Sequence, residues 1–223
     1  MDWTAFSLSI ELGALTLLGL IPLAILTGRH LAHRNFRGKG FVEALVSLPL
    51  LLPPTVVGFY LLLLFGSHGV LGRAFEAITG HLLAFSFEGL VLASIIINIP
   101  FAVQPVQRAF ESIPHEVLEA AAVSGMNPWR AFLRVELPLA WPGIVTAIVL
   151  TFAHTLGEFG VVLMVGGSIT AETKTIAIAI YDRVQAFDDR SAGLMAATLL
   201  VFSLVALGVT NTLASRVGQR RGP

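Results

Sequence analysis

Five stretches of the chain are apolar almost without interruption: 6–27, 42–65, 87–110, 142–165 and 194–213. About 20 mostly apolar residues carry a helix across a bilayer, so each stretch predicts one transmembrane span. A weakly apolar segment, 175–181, predicts a short re-entrant or partly inserted helix, a possible sixth element. The pattern breaks at 111–141, which reads ESIPHEVLEAAAVSGMNPWRAFLRVELPLAW. Backbone that turns this often finds no partners in lipid, so the segment is expected outside the bilayer. Its layout is a helical hairpin. Ser112 and Pro114 mark a helix start, and Val117, Leu118, Ala121 and Ala122 give it an apolar face. Gly125 suits a C-cap with positive φ. Asn127 and Pro128 start a second helix as cap and first residue, with Trp129, Phe132 and Leu133 as its stripe and Pro138 as its stop.

Composition agrees with this all-α membrane reading of 1–223 as one domain. The chain has 223 residues, 55% hydrophobic and 13% charged, with a mean hydropathy of +0.82. Soluble domains carry about 25% charged residues. The formal net charge is zero, which gives no reason to expect a nucleic-acid partner. There is no cysteine, which excludes disulfides, thiolate catalysis and cysteine-held metals. The first stretch is expected to be a span rather than a cleaved signal. It lacks a basic leader, its first charge is Asp2, and its apolar run is too long.

Basic residues orient the chain. Arg29, Arg34, Arg37 and Lys39 follow the first span; Arg108, Arg130 and Arg134 border or lie in the 111–141 loop; Arg216, Arg220 and Arg221 follow the last span. These regions alternate, so they share one side, expected to be the cytoplasm. The other side carries only Arg73, Lys174, Arg183 and Arg190, among acids. The N-terminus is therefore expected outside and the C-terminus inside.

No G-x-x-x-x-G-K-[ST] motif is present; Gly38-Lys39-Gly40 is a fragment of a basic loop. The six histidines follow no metal- or base-type spacing, so neither a catalytic set nor a metal site is expected.

Glu119-Ala120-Ala121, Gly125, Val135, Leu137 and Pro138 resemble the EAA loop of ABC-importer permeases. That pattern is EAA, three residues, Gly, nine residues, Ile, one residue, Leu-Pro; every spacing matches, and Val135 replaces the Ile. The resemblance implies the type I importer permease fold, with a coupling helix docked in a cleft of a separate ATPase that binds ATP and magnesium. Glu119, Ala120, Ala121, Gly125, Leu137 and Pro138 would carry that contact. Three further regions are similar to molybdate importer permeases over nearly the whole chain: Leu48-Pro49 through Gly58, Leu156 through Gly160, and Glu172-Thr173-Lys174-Thr175-Ile176 with Ala179-Ile180-Tyr181. Sulfate permeases share the first two elements; the third leans to molybdate or tungstate. The family usually has Ile-Pro-Gly before that Glu, where this chain has Ile169-Thr170-Ala171. The implied partners are two copies of an ATP-binding subunit, a second copy of this chain, an external oxyanion-binding protein and membrane lipid. The implied location is the bacterial inner membrane.

The residues themselves suggest a path. Pro49, Pro53 and Pro54 force a bend in the second span, read equally as a static kink or a flexing gate. Asn98, Pro100, Gln104, Pro105 and Gln107 make the third span polar, which suits interhelical bonding at least as well as pore lining. Pro53, Pro54, Thr55, Asn98, Gln104 and Thr151 are the candidate path residues. Thr151, His154, Thr155 and Glu158 share a face of the fourth span. His154 and Glu158 lie one turn apart as a structural or gating pair, with Glu158 expected to anchor backbone N–H groups because a carboxylate in the path would repel an oxyanion. The loop 166–192 is expected to face the external receptor. A membrane enzyme lacks its catalytic set here, and a stand-alone channel or carrier would leave the docking loop without a purpose.

Overall fold

The computed structural model describes residues 1–219, with the side chains of 206 and 209–219 outside the description. The described residues form helices throughout. Helix α1 (Trp3–His33) is capped by Asp2, whose carboxylate accepts from Ala5 N at 3.0 Å. It packs along α5 (Phe87–Glu111), which packs in turn along α8 (Leu137–Gly157). Their shared core includes Leu20, Ala24, Leu31, Val103, Val106, Phe110, Ile144 and Ala147. The crossings are close because glycines meet side chains there: a Cβ on Gly143 would lie 2.4 Å from that of Ala109, and one on Gly28 2.9 Å from Val106.

Among the described residues, α1, α5 and the run Pro128–Gly157 are long and apolar enough to cross a membrane. A bent pair, α2 (Lys39–Leu51) and α3 (Pro54–Phe65), is a fourth candidate. The predicted second span, 42–65, is therefore not continuous: the two helices meet at 108°. A residue before proline is pushed out of the helical region, and here that happens twice in succession. Leu52 (φ −88°, ψ 141°) and Pro53 (φ −55°, ψ 137°) are both extended. The predicted span 142–165 is also broken. Helix α8 ends at Gly157, and α9 (Gly160–Gly166) starts afresh. The predicted fifth span, 194–213, lies in α11 (Asp189–Gln219). Ser191 N–H donates to the Asp188 carboxylate just before α11, and bonds from Ser191 hold that carboxyl below the usual range. Of the basic residues that set the inner side, Arg220, Arg221 and the side chain of Arg216 lie outside the described residues.

The connections on the side expected to face outward are helical as well. Helix α4 (Val70–Thr79) follows α3, and α10 (Ile176–Gln185) covers the 175–181 segment, packing on α11 and α1. The loop before α10 is stitched to α1 by Ile176 N donating to Ser9 Oγ at 2.8 Å. Thr173 Oγ1 donates to Gly166 O at 2.6 Å, and Lys174 Nζ lies 2.6 Å from Asp182.

Candidate functional site: the 111–141 hairpin and the polar seam above it

The hairpin forms as its sequence dictates. Helix α6 (His115–Val123) closes with the paired bonds of a Schellman motif: Met126 N to Ala121 O at 3.2 Å and Gly125 N to Ala122 O at 3.0 Å. Gly125 occupies the left-handed position at φ 73°. Asn127 then caps α7 (Pro128–Ala131), its Oδ1 accepting from Arg130 N at 2.8 Å. Two details differ from the sequence expectation. Ser112 is the C-cap of α5, and Pro114 stands at the N-cap of α6 without a side-chain bond. Pro138 does not stop the second helix. The chain passes from α7 through one wide π-helical turn, Phe132–Glu136, into α8, with Pro138 in the first turn of α8. A proline ring crowds the preceding turn and lacks an N–H; widening that turn lets the helix continue past it.

The hairpin has two faces. Ala121, Ile113 and Phe132 are buried, and Val117, Leu118 and Leu137 pack against the same core. Facing outward are Glu119, Ala120, Ala122, Ser124, Gly125 and Pro138. Val123 is 89% exposed and Trp129 64% exposed. Among the described residues, its chain neighbours aside, nothing lies within 4 Å of where a Gly125 Cβ would stand. Glu119 is exposed and accepts from, or pairs with, His115 Nδ1 at 3.1 Å. Four of the six expected coupling residues thus lie on the open face, Ala121 lies beneath it, and Leu137 is half-buried.

What holds the hairpin to the bundle is a cluster that the sequence reading missed. Glu136, 4% exposed, takes both Arg29 nitrogens, Nε at 2.6 Å and Nη2 at 2.8 Å, and lies 3.2 Å from His33 Nε2. The Arg29 guanidinium also stands 5.0 Å over the Phe132 ring. The available signal was an acid inside the otherwise apolar VELPLA run, with Arg29 and His33 one turn apart at the end of α1.

Further along α5 and α8 runs a buried polar seam. Asn98 Nδ2 donates to Ser94 O at 2.8 Å and to Thr155 Oγ1 at 3.1 Å, and Thr16 Oγ1 donates to Ser94 Oγ at 2.9 Å. His154 Nδ1 lies 3.0 Å from Asn98 Oδ1, and its ring stacks on Phe101 at 4.1 Å. His154 Nε2 lies 3.7 Å from Glu158, whose other oxygen accepts from Val161 N at 2.9 Å. Glu158 thus accepts from the first turn of α9, at the break after α8. Asn98 and Thr151 are fully buried within this chain, and among the described residues Thr151 Oγ1 has no hydrogen-bond partner. Pro53, Pro54 and Thr55 are exposed at the α2–α3 bend, and Gln104 borders a cavity beside Arg108. A Cβ on Gly160 would lie 2.8 Å from that of Pro54, so the two broken spans meet at their breaks. Among the described residues no cluster of His, Asp or Glu has the makings of a metal site.

The sequence profile described as "Binding-protein-dependent transport system inner membrane component" matches residues 20–220. The "Molybdenum transport system permease protein ModB" of Azotobacter vinelandii is 45% identical over 206 residues, 92% of this chain and 91% of that protein. The "Sulfate transport system permease protein CysT" of Escherichia coli is 35% identical over 202 residues, 91% of this chain and 71% of that protein. A bacterial alginate ABC transporter, solved with a pentasaccharide-bound periplasmic protein, superposes with a TM-score of 0.75 at 23% identity, covering 96% of this chain and 78% of that one.

Proposed function

Since the chain belongs to the family of binding-protein-dependent transport system inner membrane components, we propose that it is the permease subunit of an ATP-driven importer for molybdate or its congener tungstate. It works as a multi-pass protein of the bacterial inner membrane and is not an enzyme. ATP and magnesium bind a separate ATPase, two copies of which serve two copies of this chain, and an external receptor delivers the oxyanion. Five spans, an outer N-terminus and a cytoplasmic C-terminus complete the reading, with the 111–141 hairpin at the ATPase. The observation that carries it is the hairpin itself. Its motif residues Glu119, Ala120 and Gly125 face outward beside two exposed apolar side chains, Val123 and Trp129, while its underside is clamped by Glu136. A small-residue face of this kind suits a groove in a partner better than a lipid surface. Molybdate is supported by the 45% identical relative.

Reconstitution of the permease, its ATPase and its receptor in vesicles tests this. Uptake of molybdate is expected to require ATP, and sulfate to be poorly moved. A Gly125→Leu permease places a β-carbon at positive φ, which costs about 1–2 kcal/mol, and adds bulk to the open face; uptake is expected to collapse while the permease still inserts. Normal uptake by that variant removes the docking assignment. Good sulfate transport without molybdate transport favours the second reading, a sulfate permease, which the 35% identical relative supports.

A further inference from the structure

At the end of α5 that leads into the hairpin, a cavity of about 690 Å³ opens between α2, α5 and α8. Among the described residues, Arg108 is the only charged side chain that borders it. Among the described residues, no carboxylate oxygen lies within 4.0 Å of its guanidinium. The nearby acids are committed elsewhere. Gln107 Nε2 donates to Glu43 and to Glu111, at 2.9 Å each, and Lys39 lies 3.8 Å from Glu43. Both acids border a smaller neighbouring cavity of about 230 Å³, which Gln104 and Arg108 also line.

The other polar groups of the larger cavity offer little to an anion. Thr146 Oγ1 donates to Pro142 O at 2.9 Å and Ser112 Oγ to Ala109 O at 2.8 Å, so both hydroxyl protons are used. Gln104 Nε2 gives one N–H to Ser47 Oγ at 3.1 Å and keeps another. Donor capacity therefore rests with Arg108 and, one helical turn away on the same face, Gln104. A planar guanidinium with five N–H groups fits two oxygens of a tetrahedral anion at once. One such charge in a roomy, otherwise neutral cavity holds a dianion without trapping it, as a translocation path requires.

We propose that Arg108, with Gln104, forms an anion station on the hairpin side of the bundle, where the transported tetrahedral dianion pauses before release. The assignment rests on the oxyanion-importer reading above.

The cysteine-free chain allows a direct test in the complete reconstituted transporter. R108C is expected to lower molybdate uptake about tenfold, the loss of one charge-assisted contact. Reaction with a cationic methanethiosulfonate ethylammonium reagent is expected to recover most of the uptake, and the anionic sulfonatoethyl reagent is expected not to. Molybdate is expected to slow both modifications in a concentration-dependent way, and R108K to transport better than R108Q. Uptake left unchanged by the cationic reagent, or recovered equally by both reagents, overturns the station. So does a rate of modification indifferent to molybdate but sensitive to anionic lipid, which assigns the arginine to a headgroup. Protection by sulfate and not molybdate leaves the station standing and overturns the choice of substrate instead.

Discussion

A carboxylate buried in an apolar stripe is costly unless a cation and further donors meet it. Glu136 has both, in Arg29 and His33, and the three residues join α1 to the turn that ends the hairpin. Removing Glu136 leaves Arg29, whose side chain is 36% exposed, partly hydrated, so the loss is expected at about 1–3 kcal/mol rather than the full buried-pair cost. A double-mutant cycle of Arg29→Ala and Glu136→Ala, read by thermal inactivation of the detergent-solubilised permease, is expected to give about 1 kcal/mol or more of coupling. Additive losses would mean that the pair does not clamp the hairpin. A second residue-scale result concerns Ala171. It holds φ 65° where the resembled family has glycine, so the left-handed turn persists without the residue that makes it easy. Thr173 and Lys174, read in the sequence as marks of substrate class, are bonded to Gly166 and Asp182, and their visible work is to fasten the loop before α10.

At the scale of elements, apolarity showed where lipid-compatible chain lies and not whether it is continuous. The run 142–165 stays apolar straight through its break, and only Gly157-Glu158 hints at it. The bend in 42–65 was legible, because proline chemistry is local. The π-turn before Pro138 was not, since a proline after a helical stretch reads as a stop as readily as a residue that a widened turn accommodates. Gly125 and Asn127 were legible for the same local reason as the bend. If the double proline makes the bend, Pro53→Ala with Pro54→Ala removes the constraint on Leu52 and residue 53. Spin labels at Ser47 and Tyr60 are then expected to move apart towards the roughly 20 Å of a straight helix at 1.5 Å per residue, and uptake to fall. An unchanged distance would assign the bend to tertiary packing, with Gly160 against Pro54 as its cause.

At the scale of the whole molecule, the described residues of one chain leave the candidate path open. Among the described residues the cavity beside Arg108 is lined from α2, α5, Ser112 and α8, the bend at Thr55 is exposed, and a few spans make a poor pore in one copy. In the proposed dimer a second copy about a shared axis would supply the missing wall, and rocking of the two halves, driven through the hairpins, would alternate access. Three positions named from the sequence now separate. Thr55 is exposed and Gln104 borders the cavity, whereas Thr151 is buried at 0% exposure between helices of its own chain. Single cysteines at each, in the complex with its ATPase, are expected to divide accordingly. Thr55→Cys and Gln104→Cys should react with a membrane-impermeant thiol reagent at rates that change when nucleotide is added, and at least one should form a disulfide across the dimer. Thr151→Cys should stay protected in both states, because its neighbours come from the same subunit and move with it. A reactive, nucleotide-sensitive Thr151→Cys beside silent Thr55→Cys and Gln104→Cys would move the axis to the polar seam of α5 and α8, and Arg108 would then stand outside the path.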